Sequence, residues 1–262
     1  ARSLKDWGLL AALAALWGSN FMFVKIGVAT VPPATLVASR LMIGAVILVA
    51  VVRAMGHTFP PLGRAWVSYA VLAIIGNCLP FWLITTGQKS IDSALAGILM
   101  AIMPLTTLVL AHFFVAGETM TRYRAAGFLL GFTGIAVLMG PAALSGLGGS
   151  SVEILAQLCV LAGALCYATQ SVLVRLMLKG NVMVASAAII VIAALISLPV
   201  ALVVDEPWNL SPSRASVYTV IWIGIGPTAL ATFVFLKLIG SAGPTFMSLT
   251  NYCIPVVALL LG

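Results

Sequence analysis

The chain has 262 residues, of which 62% are hydrophobic and only 7% charged, with a formal net charge of +7. So little charge excludes a water-coated soluble enzyme or binding module of this size and requires lipid as the solvent for most of the surface. The positive balance does not make a nucleic-acid surface, because Lys and Arg fall singly or in pairs between apolar stretches, with no basic face and no interleaved aromatics.

The uncharged run from Trp7 to Val24 follows Arg2 and Lys5. It is long enough to approach a hydrocarbon core of about 30 Å and too long for the apolar part of a signal peptide, so it reads as a first transmembrane helix. Further spans are predicted at about 34–54, 65–88, 93–116, 122–141, 152–177, 182–204, 215–239 and 244–262, after a first at about 7–28. Turn chemistry separates them: Val31-Pro32-Pro33, Gly56-His57 through Gly63, Gly117-Glu118, the small-residue stretch Pro141 to Ser151, and Asp205-Glu206-Pro207. Cys78, Cys159, Cys166 and Cys253 all lie inside apolar segments without metal-ligand spacing, so they read as packed side chains, and no metal or cofactor is expected.

Placing the N-terminus in the cytoplasm puts Arg2, Lys5, Arg53, Arg64, Arg122, Arg124, Arg175, Lys179 and Lys237 on the inner side. It leaves Lys25, Arg40, Lys89 and Arg214 outside, which is the positive-inside bias.

An internal repeat runs through this order. Trp17-Gly18-Ser19-Asn20 with Val24-Lys25 matches Tyr167-Ala168-Thr169-Gln170 with Val174-Arg175, so that an aromatic, an amide and a cation recur in register. Gly97 to Pro104-Leu105 matches Ser248 to Pro255-Val256, an offset that also aligns Asn77 with Thr228 and Phe81 with Thr232. Residues 1–141 hold five spans, an odd number, so the second unit, 142–262, starts on the opposite side. The predicted fold is an all-α integral membrane protein of two inverted five-helix repeats around a central cavity, an architecture suited to alternating access.

Trp17-Gly18-Ser19-Asn20-Phe21, the pair Pro32-Pro33, Arg40, and Ala94 to Pro104 closing on Gly117-Glu118 resemble the EamA branch of the drug/metabolite transporter superfamily, along essentially the whole chain. The resemblance implies a ten-helix fold in a bacterial inner membrane. It also implies exporters of amino acids and related metabolites, YddG-like aromatic amino acid exporters among them. The second repeat stops at Gly262, so the tenth helix of that pattern is missing from this sequence. Its counterpart, 122–141, carries Gly127 and Gly131 at a spacing that suits helix packing and not substrate contact.

The candidate substrate-binding residues are Trp17, Asn20, Asn77, Phe81, Tyr167, Gln170, Thr228, Asn251 and Tyr252. Amides and hydroxyls recurring at repeat-related depths would line one polar midplane cavity, with aromatics beside them to stack on a ring or face an organic cation. Helix–helix hydrogen bonds and core packing are the alternative roles. Trp66, Tyr69, Trp208 and Tyr218 are assigned to the interfacial belt. Pro80, Pro104, Pro227 and Pro255 interrupt helices and are hinge candidates, with static bends as the alternative.

No Asp or Glu falls near mid-membrane, so a facilitator fits better than carboxylate-relayed proton coupling. Lys25 and Arg40 both approach the outer face and could meet a substrate carboxylate, but the expected role is snorkelling to the headgroups, which leaves the midplane without fixed charge and disfavours phosphorylated substrates. The expected substrate is a small polar metabolite, most simply a neutral or aromatic amino acid; organic cations or other drugs are the alternative. A channel is the rival from another class. A membrane enzyme is the weakest reading, since His57 and His112 accompany no activated Ser or Cys.

Overall fold

The computed structural model describes residues 3–115, 120–144, 146–178, 180–242 and 250–261. Among these there is helix and no strand. Apart from a 3-10 turn at Pro207–Asn209, the described residues form nine long helices in chain order: α1 Leu4–Gly27, α2 Pro33–Ala54, α3 Arg64–Gly87, α4 Ser93–Phe114, α5 Arg122–Leu144, α6 Ser151–Met177, α7 Val182–Val204, α8 from Arg214–Ile223 through Gly224–Leu230 to Ala231–Ala242, and α9 Thr250–Leu261. Seven helical stretches, in α1 to α4 and α6 to α8, are long and apolar enough to cross a membrane.

Over the described residues the expected spans and these helices agree within a few residues, with one difference. Helix α5 runs on to Leu144, so Pro141 is helical and the connection to α6 is shorter than expected. Gly117-Glu118, Lys179 and residues 243–249 lie outside the described set.

Local chemistry explains the helix starts. Ser3 and Ser150 each accept from the backbone N–H three residues on, at 3.2 and 3.4 Å, while Asp6 and Glu153 reach back to the cap backbone. These are capping boxes at the openings of α1 and α6. Pro33 takes the first turn of α2, where its missing N–H costs nothing.

Both α3 and α8 widen into a π-helical stretch, Ile74–Cys78 and Gly224–Leu230. The helices start at Arg64 and Arg214 and the stretches at Ile74 and Gly224, so both features recur 150 residues apart. Prolines account for the widening, since Pro80 and Pro227 cannot donate to the carbonyls four residues back. Helix α4 changes direction for the same reason: Ser93–Met100 ends, and Met103–Phe114 begins with Pro104 in its first turn.

Helices α2 and α7 form the largest core, with α3 against them. Ala185, Ala187, Ala188 and Ala193 on α7 are fully buried, and such small side chains let Leu41 and Leu48 of α2 approach closely. The pair is antiparallel. At one end Asp205 Oδ2 accepts from Thr35 N and Oγ1 at 2.6 and 2.9 Å; at the other Asn181 Nδ2 lies 3.3 Å from His57 Nε2. Tyr69, expected in the interfacial belt, is instead buried in this core, because its helix packs flat on α7. Trp208 and Tyr218 are exposed.

Helix α1 packs against α8 and α9, and α6 against α3 and α4, so the first helix of each sequence half contacts helices of the other half.

Candidate functional site

Four helices bring polar and aromatic side chains to one buried place. Arg40 lies about 10 Å along α2, roughly a third of the way into the helix. Its side chain is 2% exposed, and its guanidinium carbon sits 4.1 Å from the centroid of the Phe81 ring of α3. The Phe81 ring meets Tyr167 of α6 edge-on at 6.4 Å. Arg40 Nε and Nη2 donate to Thr228 Oγ1 of α8 at 3.3 and 3.2 Å.

The Thr228 hydroxyl itself donates to Ile223 O at 2.8 Å. That carbonyl is the one Pro227 cannot serve, so the proline creates the vacancy, the next residue fills it, and its lone pairs are left to accept from the arginine. Gly44, one turn beyond Arg40 on the same face of α2, makes room: a Cβ there would stand 2.6 Å from Thr228 Cγ2.

This placement corrects the expectation that Arg40 snorkels and that no fixed cation lies deep in the membrane. Snorkelling requires a lipid-facing helix flank, whereas the α2 face that carries Arg40 is covered by α8 and by Phe81. Sequence reasoning weighed a substrate carboxylate for Arg40, preferred snorkelling and left it off the site list; the signal that favoured the other choice was a lone cation several residues inside an apolar span. Lys25 stays near its helix end and donates to Ile91 O at 2.8 Å.

Gln170 lies one turn from Tyr167 on α6 and rests on Gly76, where any Cβ would collide with its amide. Gly76 is the neighbour of Asn77, which is buried in the π-helical stretch of α3. Arg40, Phe81, Tyr167 and Thr228 are thus gathered by α2, α3, α6 and α8, with Gln170 against α3 one turn from Tyr167 and Asn77 in the neighbouring π-helical stretch.

The other expected residues contact other elements. Trp17 meets Phe235 of α8 at 5.8 Å, within the cluster around Leu13 and Leu238. Asn20 is half-buried one turn further along α1, and its Oδ1 is enclosed without a hydrogen-bond partner. Tyr252 of α9 packs on Gly131 of α5 and borders the same apolar cluster as Tyr167. Asn251 is half-buried beside it.

Pro80 and Pro227 flank or occupy the two π-helical stretches, and Pro104 opens the second part of α4. Pro255 lies within α9, with its side chain outside the described set. Among the described residues the carboxylates sit at helix ends or in connections: Asp6, Asp92, Glu153, Asp205 and Glu206.

The model of the EamA-like transporter family matches residues 6–140. The uncharacterized inner membrane transporter YedA of Escherichia coli strain K12 is 26% identical over 258 residues, covering 98% of this chain and 81% of its own length. The uncharacterized transporter YvbV of Bacillus subtilis strain 168 is 26% identical over 257 residues, covering 96% and 81%. Protein PagO of Salmonella typhimurium is 31% identical over 121 residues, 45% of this chain and 39% of its own. A solved crystal structure superposes with a TM-score of 0.75 at 24% identity, over 100% of this chain and 88% of its own, and so shares the fold. Residues 6–140 are just over half of the chain, and on that match this protein belongs to the EamA-like transporter family.

Proposed function

We propose that this transporter exports small polar metabolites, neutral or aromatic amino acids foremost, across a bacterial inner membrane by alternating access. The observation that carries the reading is the meeting of Arg40 and Phe81 from the first half of the sequence with Tyr167, Gln170 and Thr228 from the second, on one buried spot inside a helical membrane protein. A site built from both halves can be opened to either side as they rock.

The domain reading is two inverted repeats, 1–141 and 142–262. Support comes from the 150-residue recurrence of helix starts and π-helical stretches, and from the reciprocal packing of α1 and α6. In this reading Trp17, Asn20, Asn77, Phe81, Tyr167, Gln170, Thr228, Asn251 and Tyr252 bind substrate, and Pro80, Pro104, Pro227 and Pro255 are hinges. A wider π turn holds its backbone less tightly than an α turn, which is where a bend costs least. Carboxylates that, among the described residues, stand at helix ends and in connections favour facilitated export over a proton relay.

Uptake of phenylalanine or tryptophan into proteoliposomes should saturate, survive collapse of the proton gradient, and fall several-fold in Trp17→Ala or Tyr167→Ala variants that remain folded. Uptake no faster than in empty liposomes, alongside transport of an inorganic ion, would replace the reading with a channel. The N-terminus is assigned to the cytoplasm from the cation bias. A thiol introduced at Gly148 should react with impermeant reagent from outside the cell, and labelling from the cytoplasmic side alone would reverse the assignment.

The rival reading, export of organic cations, draws on the aromatic rings. It is weakened by Arg40, whose charge lies 4.1 Å from one of them and repels a second cation.

A further inference from the structure

We propose that the Arg40 guanidinium binds a single carboxylate on the transported molecule, so that a free carboxylate is a requirement for transport. This rests on the amino acid reading above and narrows it from a polar metabolite to a monocarboxylate-bearing one.

Arg40 is almost wholly buried, yet its neighbourhood does not neutralise it. Among the described residues its one hydrogen-bond acceptor is Thr228 Oγ1, an uncharged hydroxyl whose own proton is committed to Ile223 O. No carboxylate of the described residues pairs with it; they stand at helix ends and in connections. An unpaired cation at this depth is costly, and in membrane proteins such a residue marks the place where a ligand supplies the opposite charge.

Geometry selects the ligand. The Nε and Nη2 edge is turned to Thr228 and the Phe81 ring covers one face, which leaves Nη1 and the remaining Nη2 proton, donors to no described residue. Two parallel N–H groups at the end of a guanidinium match the two oxygens of a carboxylate. Tyr167, edge-on to Phe81, extends the aromatic wall and offers a surface for the rest of the molecule.

Charge balance selects carboxylate over phosphate. One cation neutralises one carboxylate, whereas a phosphate monoester brings about −1.5 to −2 and would leave excess negative charge buried. The ammonium of an amino acid falls to the neutral amides, of which Gln170 and Asn77 are adjacent through Gly76.

The test uses the full chain in proteoliposomes, with uptake of labelled phenylalanine challenged by 3-phenylpropionate, phenylalanine amide, phenethylamine and inorganic phosphate. The expected result is competition by 3-phenylpropionate and none by the amide or the amine. Arg40→Gln should raise KM about tenfold or more and abolish competition by 3-phenylpropionate, with Arg40→Lys between it and the native protein. The proposal is overturned if the amide competes as well as the free acid, if phosphate outcompetes the carboxylates, or if Arg40→Gln keeps the native KM. Should Arg40→Gln fail to fold, the competitor series on the unmodified protein decides alone.

Absence of any phenylalanine transport would remove the amino acid reading without deciding this one. The carboxylate site is then judged by thermal shift of the purified protein. Stabilisation by 3-phenylpropionate and not by phenethylamine supports it, and no stabilisation by 3-phenylpropionate overturns it.

Discussion

Thr228 shows how much one side chain can be asked to do inside a bilayer. It repairs the carbonyl that Pro227 leaves open and presents its lone pairs to Arg40, so its removal orphans groups on two helices at once. Thr228→Val keeps the shape and deletes the hydroxyl. It should destabilise the detergent-solubilised protein by about 1–3 kcal/mol, the range for leaving a buried polar group unsatisfied, while Thr228→Ser should stay near native stability. Thermal unfolding of the two variants side by side measures this, and equal melting temperatures would show that the relay is not structural.

Of this site the sequence discloses the amides and aromatics, since a polar residue inside an apolar run is conspicuous. It leaves the arginine's role open between meeting a substrate carboxylate and snorkelling. Whether a cation seven residues into a helix snorkels or is buried depends on what covers that flank, and here the cover comes from a segment 188 residues away.

At the scale of elements, nearly every helix is legible because charges and turn residues bracket apolar runs of membrane length. What the sequence shows only as prolines, the backbone resolves into two different outcomes: π-helical stretches in α3 and α8, and a break in α4. The difference lies in the neighbours. Thr228 supplies a local donor after Pro227, while around Pro104 the chain tightens instead, with Ala101 N–H shared between Gly97 O and Ile98 O at 3.2 and 2.9 Å.

Helix starts can also be capped from a distance. Asp205, just past α7, occupies the free N–H of Thr35 in the first turn of α2, a contact no local motif announces. Asp205→Ala should cost about 1 kcal/mol, as other lost caps do, and should raise hydrogen exchange at the start of α2 ahead of the rest of that helix. Unchanged exchange there would mean that water caps the helix equally well.

Seen whole, the molecule is laced along one end. Lys25 reaches Ile91 O, Gln88 and Ser93 share Phe21 O, Ser216 donates to Ile26 O, and Thr30 donates to Ser216 at 2.7 Å. These bonds tie the end of α1 to the start of α8 and to the turn between α3 and α4. The proposed alternating access would require some of them to part. A Thr30→Cys/Ser216→Cys pair, oxidised across this contact, should therefore abolish transport in proteoliposomes, and reduction should restore it. Full activity of the crosslinked protein would place the moving boundary elsewhere.

The span of the Arg40–Thr228 contact also has a consequence for biosynthesis. Residue 40 is made 188 residues before its acceptor. At about 5–20 residues per second, that interval is on the order of 10–40 s. For that time α2 must be held with its cation unsatisfied, and for most of it α7, the other helix of its core, is not yet complete. Nascent chains arrested before α8 emerges should accordingly keep α2 beside the insertion machinery, where a crosslinker at residue 40 would find it, and release it once Thr228 has entered the membrane.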